Sequence, residues 1–177
     1  IDKLHDRKNY IIRKSINLSK QSQIIAANLD QAFLIVTLAS PRTSLGFIDR
    51  FLVVAEAYDI PTSLVFNKLD LYNQDGLAIL ADYKAIYENI GYPCYEVSAL
   101  EGTNISQIEA LLKDKTTLFS GHSGVGKSSL INAILPDFEL KTGEVSEWSD
   151  KGQHTTTFAE MHQLPFGGYL VDTPGIR

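Results

Sequence analysis

The stretch Gly121-His122-Ser123-Gly124-Val125-Gly126-Lys127-Ser128 fits the phosphate-binding pattern G-x-x-x-x-G-K-[ST]. An apolar run, Thr117-Leu118-Phe119, leads into it, and a helix-like run from Ser129 to Leu135 follows. This strand–loop–helix context is what gives the pattern meaning. The glycines let the backbone curl until its N–H groups point inward at phosphate oxygens, and the helix N-terminus adds a partial positive charge. In such a loop Lys127 reaches the outer phosphates, the Ser128 hydroxyl holds a magnesium ion, and Ser129 completes the nucleotide contacts. A glycine-rich turn matching by chance is the alternative, so other segments have to decide.

Composition narrows the class. The 177 residues are 44% hydrophobic and 21% charged, which suits one substantial globular domain with its own core. No apolar run approaches the roughly 20 residues of a transmembrane helix, and no signal-peptide pattern opens the chain. Cys94 is the only cysteine, so neither an internal disulfide nor a cysteine-based zinc site can form within these residues. These features favour a cytoplasmic protein with no membrane partner. The net charge of -5 argues against a nucleic-acid binder over its whole surface. The first twenty residues nevertheless hold Lys3, Arg7, Lys8, Arg13, Lys14 and Lys20 against Asp2 and Asp6. That stretch either touches RNA or is a solvated strand edge.

In chain order, residues 1–17 read as short strand material, the tail of a preceding domain. The end at Gly175-Ile176-Arg177, just past an apolar strand, suggests a chain truncated on both sides. Residues 32–39 form a continuous β-branched, apolar run suited to a strand buried on both faces of a parallel sheet. A helix is predicted over 45–58, with Ile48, Phe51, Leu52 and Ala55 at helical spacing. A strand over 62–66 runs into Asn67. A second helix over 75–90 places Ile79, Leu80, Tyr83, Tyr87 and Ile90 on one face, with Gly91 as its C-cap. A strand over 93–97 ends at Ser98. Asn104 is expected to cap a short helix whose Ile105, Ile108, Leu111 and Leu112 face inward. The strand 116–120 then delivers the phosphate loop. Residues 136–156 lose all periodicity, as a functional or mobile loop does. Strands are predicted over 157–164 and 168–171. The alternation gives an α/β, doubly wound, mostly parallel sheet of about six strands.

Two further segments carry chemistry. Asn67-Lys68-Leu69-Asp70 follows a strand. The Asp70 carboxylate can accept from guanine N1–H and its 2-amino group, whereas adenine would leave it unpaired. Lys68 can lay its stem over the base, Leu69 lies within the same loop, and Asn67 can tie this loop to the phosphate loop. Ser98-Ala99-Leu100 can offer a backbone N–H to guanine O6. Asp172-Thr173-Pro174-Gly175 fits D-x-x-G, with Asp172 toward magnesium and the Gly175 N–H toward the γ-phosphate. Any of Thr155, Thr156 and Thr157 could supply a second hydroxyl to magnesium, and analogy with the x-T-T pattern of related GTPases favours Thr156. Strand-ending turns explain each segment singly. Together they all fall at the C-terminal ends of predicted strands, where open α/β sheets bind ligands, and they define a GTP/GDP- and Mg2+-binding P-loop NTPase domain.

Their order is inverted. GTPases of the Ras type run phosphate loop, switch threonine, D-x-x-G, N-K-x-D, S-A-x. Here N-K-L-D (67–70) and S-A-L (98–100) come first, so the GTPase is circularly permuted. With G-H-S-G-V-G-K-S-S, G-Q-H-T-T-T and D-T-P-G-I-R, the chain resembles the RsgA (YjeQ/EngC) family of GTPases of late small-ribosomal-subunit maturation. The resemblance covers residues from about 20 to 177. It implies a GTPase domain over 18–177, an OB-fold whose last strand is the 1–17 remnant, and a following zinc domain beyond Arg177. It also implies the small ribosomal subunit and its rRNA as partners, with the protein a monomer. The nearest rival is the YlqF-type permuted GTPase of the large subunit, which usually carries P-G-x-T-[RK] where this chain has Gly152-Gln153-His154-Thr155-Thr156-Thr157. A nucleotide-gated binding module with negligible hydrolysis is the other alternative.

Hydrolysis needs an oriented water. Ile176 stands just after D-x-x-G, where Ras-like enzymes place a glutamine, and an alkyl group cannot orient water. His154 is the candidate in its place, because a neutral imidazole can accept from the attacking water. The competing reading is an ordinary loop histidine. Lys127, His154 and Thr156 are thus the catalytic candidates, while His122 is expected to pack near the phosphates.

Overall fold

A computed structural model describes residues 2–3, 5–14, 22–136 and 159–173. The described elements run β1 (Tyr10–Lys14), β2 (Ser22–Ala27), β3 (Gln31–Val36), α1 (Leu45–Ala57), β4 (Thr62–Phe66), α2 (Gln74–Asn89), β5 (Cys94–Glu96), α3 (Ile105–Leu112), β6 (Thr116–Gly121), α4 (Lys127–Ile134), β7 (Glu160–Gln163) and β8 (Tyr169–Asp172). Six strands form one sheet in the order β5-β4-β3-β6-β8-β7. All neighbours in it are parallel except β7, which lies antiparallel on the edge against β8.

Strand β3 sits near the middle because its residues are apolar on both faces. Leu34 and Val36 join one buried cluster with Ile48 and Phe51 of α1 and Leu80 and Tyr87 of α2. Phe33 and Ile35 join the other with Ile108 and Leu112 of α3 and Leu130 and Ile131 of α4. Side chains of a strand alternate faces, so one continuous apolar run supports helices on both sides. This is the doubly wound arrangement expected from the sequence.

Local chemistry sets several helix ends. Ser44 accepts from the Phe47 N–H at the start of α1, and Asn73 from the Gly76 N–H at the start of α2. Gly91, at φ +100, follows the end of α2, and its N–H bonds to the Glu88 carbonyl. Two expectations are corrected. Asn104 does not cap α3 with its side chain: it is left-handed at φ 59, and its amide donates to the Glu96 carbonyl. On α2, Leu80, Tyr83 and Tyr87 are buried, while Ile79 and Ile90 are 40% and 64% exposed. The tyrosines win the inward face because their hydroxyls are partnered, Tyr83 with Arg42 and Tyr87 with Asp49.

The N-terminal residues hold a strand pair that periodicity did not reveal. β1 and β2 form an antiparallel ribbon apart from the main sheet, with β2 lying beyond the 1–17 segment. Ile11 of β1 is buried in the α1–α2 cluster. Asn9 anchors the ribbon: its amide donates to Leu29 O at 2.8 Å and Asp59 O at 3.3 Å and accepts from Leu29 N at 2.8 Å. Asn9→Ala leaves these buried backbone groups unpaired and should lower unfolding free energy by about 1–3 kcal/mol, read by urea denaturation.

Burial also governs the single thiol. Cys94, on β5, has its thiol pKa pushed up to about 12, first by desolvation and then by the charge of Glu88. Above the ordinary thiol range the fold therefore retains a proton that the unfolded chain has lost. At pH 8 Cys94 should react with a disulfide reagent roughly a thousand-fold more slowly than in urea.

Candidate nucleotide-binding site

The C-terminal ends of β3, β4, β5, β6 and β8 converge on one edge of the sheet, and every described candidate lies there. Asn67 follows β4 and is 1% exposed. Its amide nitrogen donates to Val125 O at 2.9 Å, and its carbonyl oxygen accepts from Ala99 N at 3.1 Å. One side chain thus joins the base-reading loop, the phosphate loop and the 98–100 loop.

Lys68 takes a left-handed conformation, φ 64 and ψ 38. For a non-glycine residue this costs about 1–2 kcal/mol, a cost that clusters at functional sites. It aims the ammonium across the sheet edge, where it donates to Gly124 O at 2.7 Å and to Ser40 O. Ser40 is itself left-handed at φ 51. Leu69, Asp70 and Leu71 form a single 3-10 turn, Leu69–Leu71, in which Asp70 meets Ser98. The Ser98 hydroxyl donates to one Asp70 carboxylate oxygen and accepts from the Glu101 N–H, which fixes the carboxylate plane. The other oxygen stays available to a ligand.

The 98–100 loop differs from expectation in detail. The N–H groups of Ser98 and Ala99 are committed to Thr103 O and to Asn67. Among the described residues Leu100 N–H has no acceptor, and the Leu100 side chain is 84% exposed. Of the three backbone N–H groups in this loop, only that of Leu100 is uncommitted among the described residues.

The phosphate loop leaves β6 through Gly121, where a Cβ would meet Ile35 O at 2.7 Å. His122 stacks on Phe47 of α1 at 3.7 Å, and Ser123 is exposed. Gly124 and Gly126 have φ +85 and +83. A Cβ on Gly126 would come within 2.5 Å of Asn67 Nδ2, so the Asn67 bridge requires glycine there. Val125 is fully buried and plugs the loop into the α3–α4 core. Ser128 is half-buried and Ser129 exposed, both in the first turn of α4.

Lys127 is held by Asp172 and by Thr173 O, the latter at 2.6 Å. Their side chains are only 10% and 19% exposed, so each charge depends on the other. Thr173 is tied to Phe119 O through its hydroxyl at 3.0 Å, which locks the end of β8 beside the loop. The donors around Lys127, one carboxylate and the Ser128 hydroxyl, are hard oxygens. They suit a magnesium ion that completes its shell with water and phosphate. Thr155, Thr156, Thr157, His154, Gly175 and Ile176 lie outside the described residues.

Sequence reasoning missed Tyr72. Its hydroxyl accepts from Leu38 N at 2.9 Å and donates to Asn67 O at 2.7 Å. Burial, reinforced by the nearby Asp70 charge, pushes its ionisation upward, so it keeps the proton it donates. No motif marks it, because both its partners are backbone groups.

A phosphate loop and an N-K-L-D loop, joined at one edge of a doubly wound sheet and presented in inverted sequence order, define a circularly permuted P-loop GTPase fold. The chain matches the RsgA GTPase family over residues 4–177 and belongs to that family. It is 60% identical over its whole length to the small ribosomal subunit biogenesis GTPase RsgA 2 of Bacteroides thetaiotaomicron, of which it spans 57%. It is 56% identical to the corresponding GTPase of Flavobacterium psychrophilum, spanning 54% of that protein. Among solved structures, YjeQ from Thermotoga maritima superposes with a TM-score of 0.76 at 40% identity, covering 98% of this chain and 54% of that one. The circularly permuted GTPase YloQ does so with 0.69 at 35%, covering 98% and 50%. The chain therefore spans little more than half the length of these relatives.

Gly126→Ala forces Asn67 from Val125 and places an alanine in a left-handed position. It should weaken GDP binding by about 2–3 kcal/mol, or 30- to 150-fold, in a calorimetric titration.

Proposed function

We propose that this chain binds GTP and GDP with magnesium and hydrolyses GTP as part of a factor in late maturation of the small ribosomal subunit. The observation that supports this reading is the Asn67 bridge, which ties the N-K-L-D loop to the phosphate loop and to the 98–100 loop. The relatives named above supply the ribosomal context.

In this reading Asp70 accepts from guanine N1–H and the 2-amino group, Leu100 N–H meets O6, and the Lys68 stem covers the base. The phosphates lie in the 121–128 loop. Lys127 turns from Asp172 to the outer phosphates, and Asp172 is released toward the metal. Ser128, Thr156 and Asp172 would hold magnesium, which would supply positive charge against the phosphates. Water attacks the γ-phosphorus in line, the bond to the bridging oxygen breaks, and GDP and phosphate leave. His154 accepts from that water, and the Gly175 N–H meets the γ-phosphate. The intrinsic rate is slow, and the ribosomal particle raises it.

The remaining parts follow the resemblance. Residues 1–17 are the end of an OB-fold, zinc belongs to a further domain, and the factor works as a cytoplasmic monomer on rRNA. Among the described residues no helix is long and apolar enough to cross a membrane.

Asp70→Asn should lower GDP affinity by roughly a hundred-fold or more and raise affinity for XDP, whose 2-oxo group accepts from the new amide. Unchanged GDP binding would overturn the guanine reading. GTP turnover measured with and without small subunits tests the rest: absence of stimulation removes the ribosomal part, and full stimulation in His154→Ala removes that residue from the chemistry.

A further inference from the structure

The turn between β3 and α1, residues 37–44, belongs to none of the nucleotide motifs, yet it closes the site from the side of the central strand. It is built as a rigid unit. Thr43 N donates to Thr37 O at 2.7 Å, Thr37 N donates to the Thr43 hydroxyl at 3.1 Å, and the Thr37 hydroxyl donates to Pro41 O. Thr37 and Thr43 are both buried. The unit meets the nucleotide loops through backbone groups and the Pro41 ring. Ser40 O receives the Lys68 ammonium, Leu38 N–H binds the Tyr72 hydroxyl, and Pro41 lies 3.1 Å from where a Cβ on Gly124 would stand.

Tyr72 is the connection. The chain from Asn67 to Tyr72 passes through the left-handed Lys68 and the turn Leu69–Leu71, closed by Leu71 N to Lys68 O at 3.0 Å and Tyr72 N to Leu69 O at 3.1 Å. The tyrosine then folds back so that its hydroxyl reaches Asn67 O, closing this six-residue segment into a ring. Asp70 rides on that ring. With the same oxygen accepting from Leu38 N, the ring is fastened to the end of β3.

Resting on the guanine-nucleotide reading above, we propose that Tyr72 is a positioning residue for base selection. Through it the 37–44 turn braces the Asn67–Asp70 loop at the height where Asp70 meets the guanine edge. Tyr72 touches no part of the nucleotide. Its effect falls on the two hydrogen bonds that distinguish guanine from other purines, and the phosphate loop keeps its own anchors in Val125 and Lys127.

The test compares wild type with Tyr72→Phe, which keeps the ring and removes only the hydroxyl. Titrations use GDP, IDP (which lacks the 2-amino group), ADP and inorganic triphosphate. Tyr72→Phe should bind GDP about tenfold more weakly and narrow the GDP-to-IDP ratio by several-fold, while inorganic triphosphate changes by less than about twofold. Thr43→Val, which removes the hydroxyl acceptor of the Thr37 N–H and loosens the turn, should shift the ratio in the same direction by a smaller factor and serves if Tyr72→Phe fails to fold. An unchanged GDP-to-IDP ratio in either folded variant overturns the brace. Loss of inorganic triphosphate binding in step with GDP overturns it also, because the effect would then be on the whole loop. Wild-type protein that binds GDP and ADP alike overturns the guanine reading itself, and base selection by Tyr72 falls with it.

Discussion

The Asn67 side chain is the contact on which the site depends. Its amide donates to the phosphate loop and accepts from the 98–100 loop, and it is almost wholly buried. Of the short side chains, only asparagine offers donor and acceptor on one rigid plane. Aspartate could not donate to Val125 O, and alanine would leave buried backbone groups unpaired. The bridge in turn demands glycine at 126, where a Cβ would occupy the amide's place. Two motifs almost sixty residues apart are therefore one structural unit.

Sheet geometry explains why such a bridge is needed. The base-reading loop leaves β4 and the phosphate loop leaves β6, with β3 between them. Strands lie about 4.8 Å apart, so the two loops start about 10 Å from each other. Asn67, Lys68 and Tyr72 together cover that gap over the end of β3. The permuted order leaves this arrangement intact because parallel pairing depends on which strands neighbour one another, not on which comes first.

Charge is handled in the same economical way. Lys127 and Asp172 are too enclosed to stand alone and are paired across the ends of β6 and β8. A polyphosphate would give Lys127 an anionic partner and a metal would give Asp172 a cationic one, so an exchange of partners would leave neither enclosed charge unpaired. Tying Thr173 to Phe119 O places the start of the D-x-x-G segment within reach of this exchange.

The α/β alternation, the doubly wound sheet and the segments gathered at one edge of it were legible from the chain alone. Each of these is a local signal, either an apolar period or a spacing that only one kind of loop satisfies. Ile48, Phe51, Leu52 and Ala55 were legible as a buried face because the helical period alone selects them. Tertiary structure decided what local signals cannot. Asn104 gives up capping because Glu96 O lies within its reach. Ile79 and Ile90 turn outward because partnered tyrosines fill the inward face. The Ala99 N–H is committed to Asn67 rather than left open to a ligand. The β1–β2 ribbon is seated by Asn9 on backbone groups twenty and fifty residues away. Tyr72 binds only backbone, and backbone atoms are the same at every position, so no residue pattern could announce it. Spacing along the chain names the groups that do chemistry, but only the folded contacts settle which of them are free to do it.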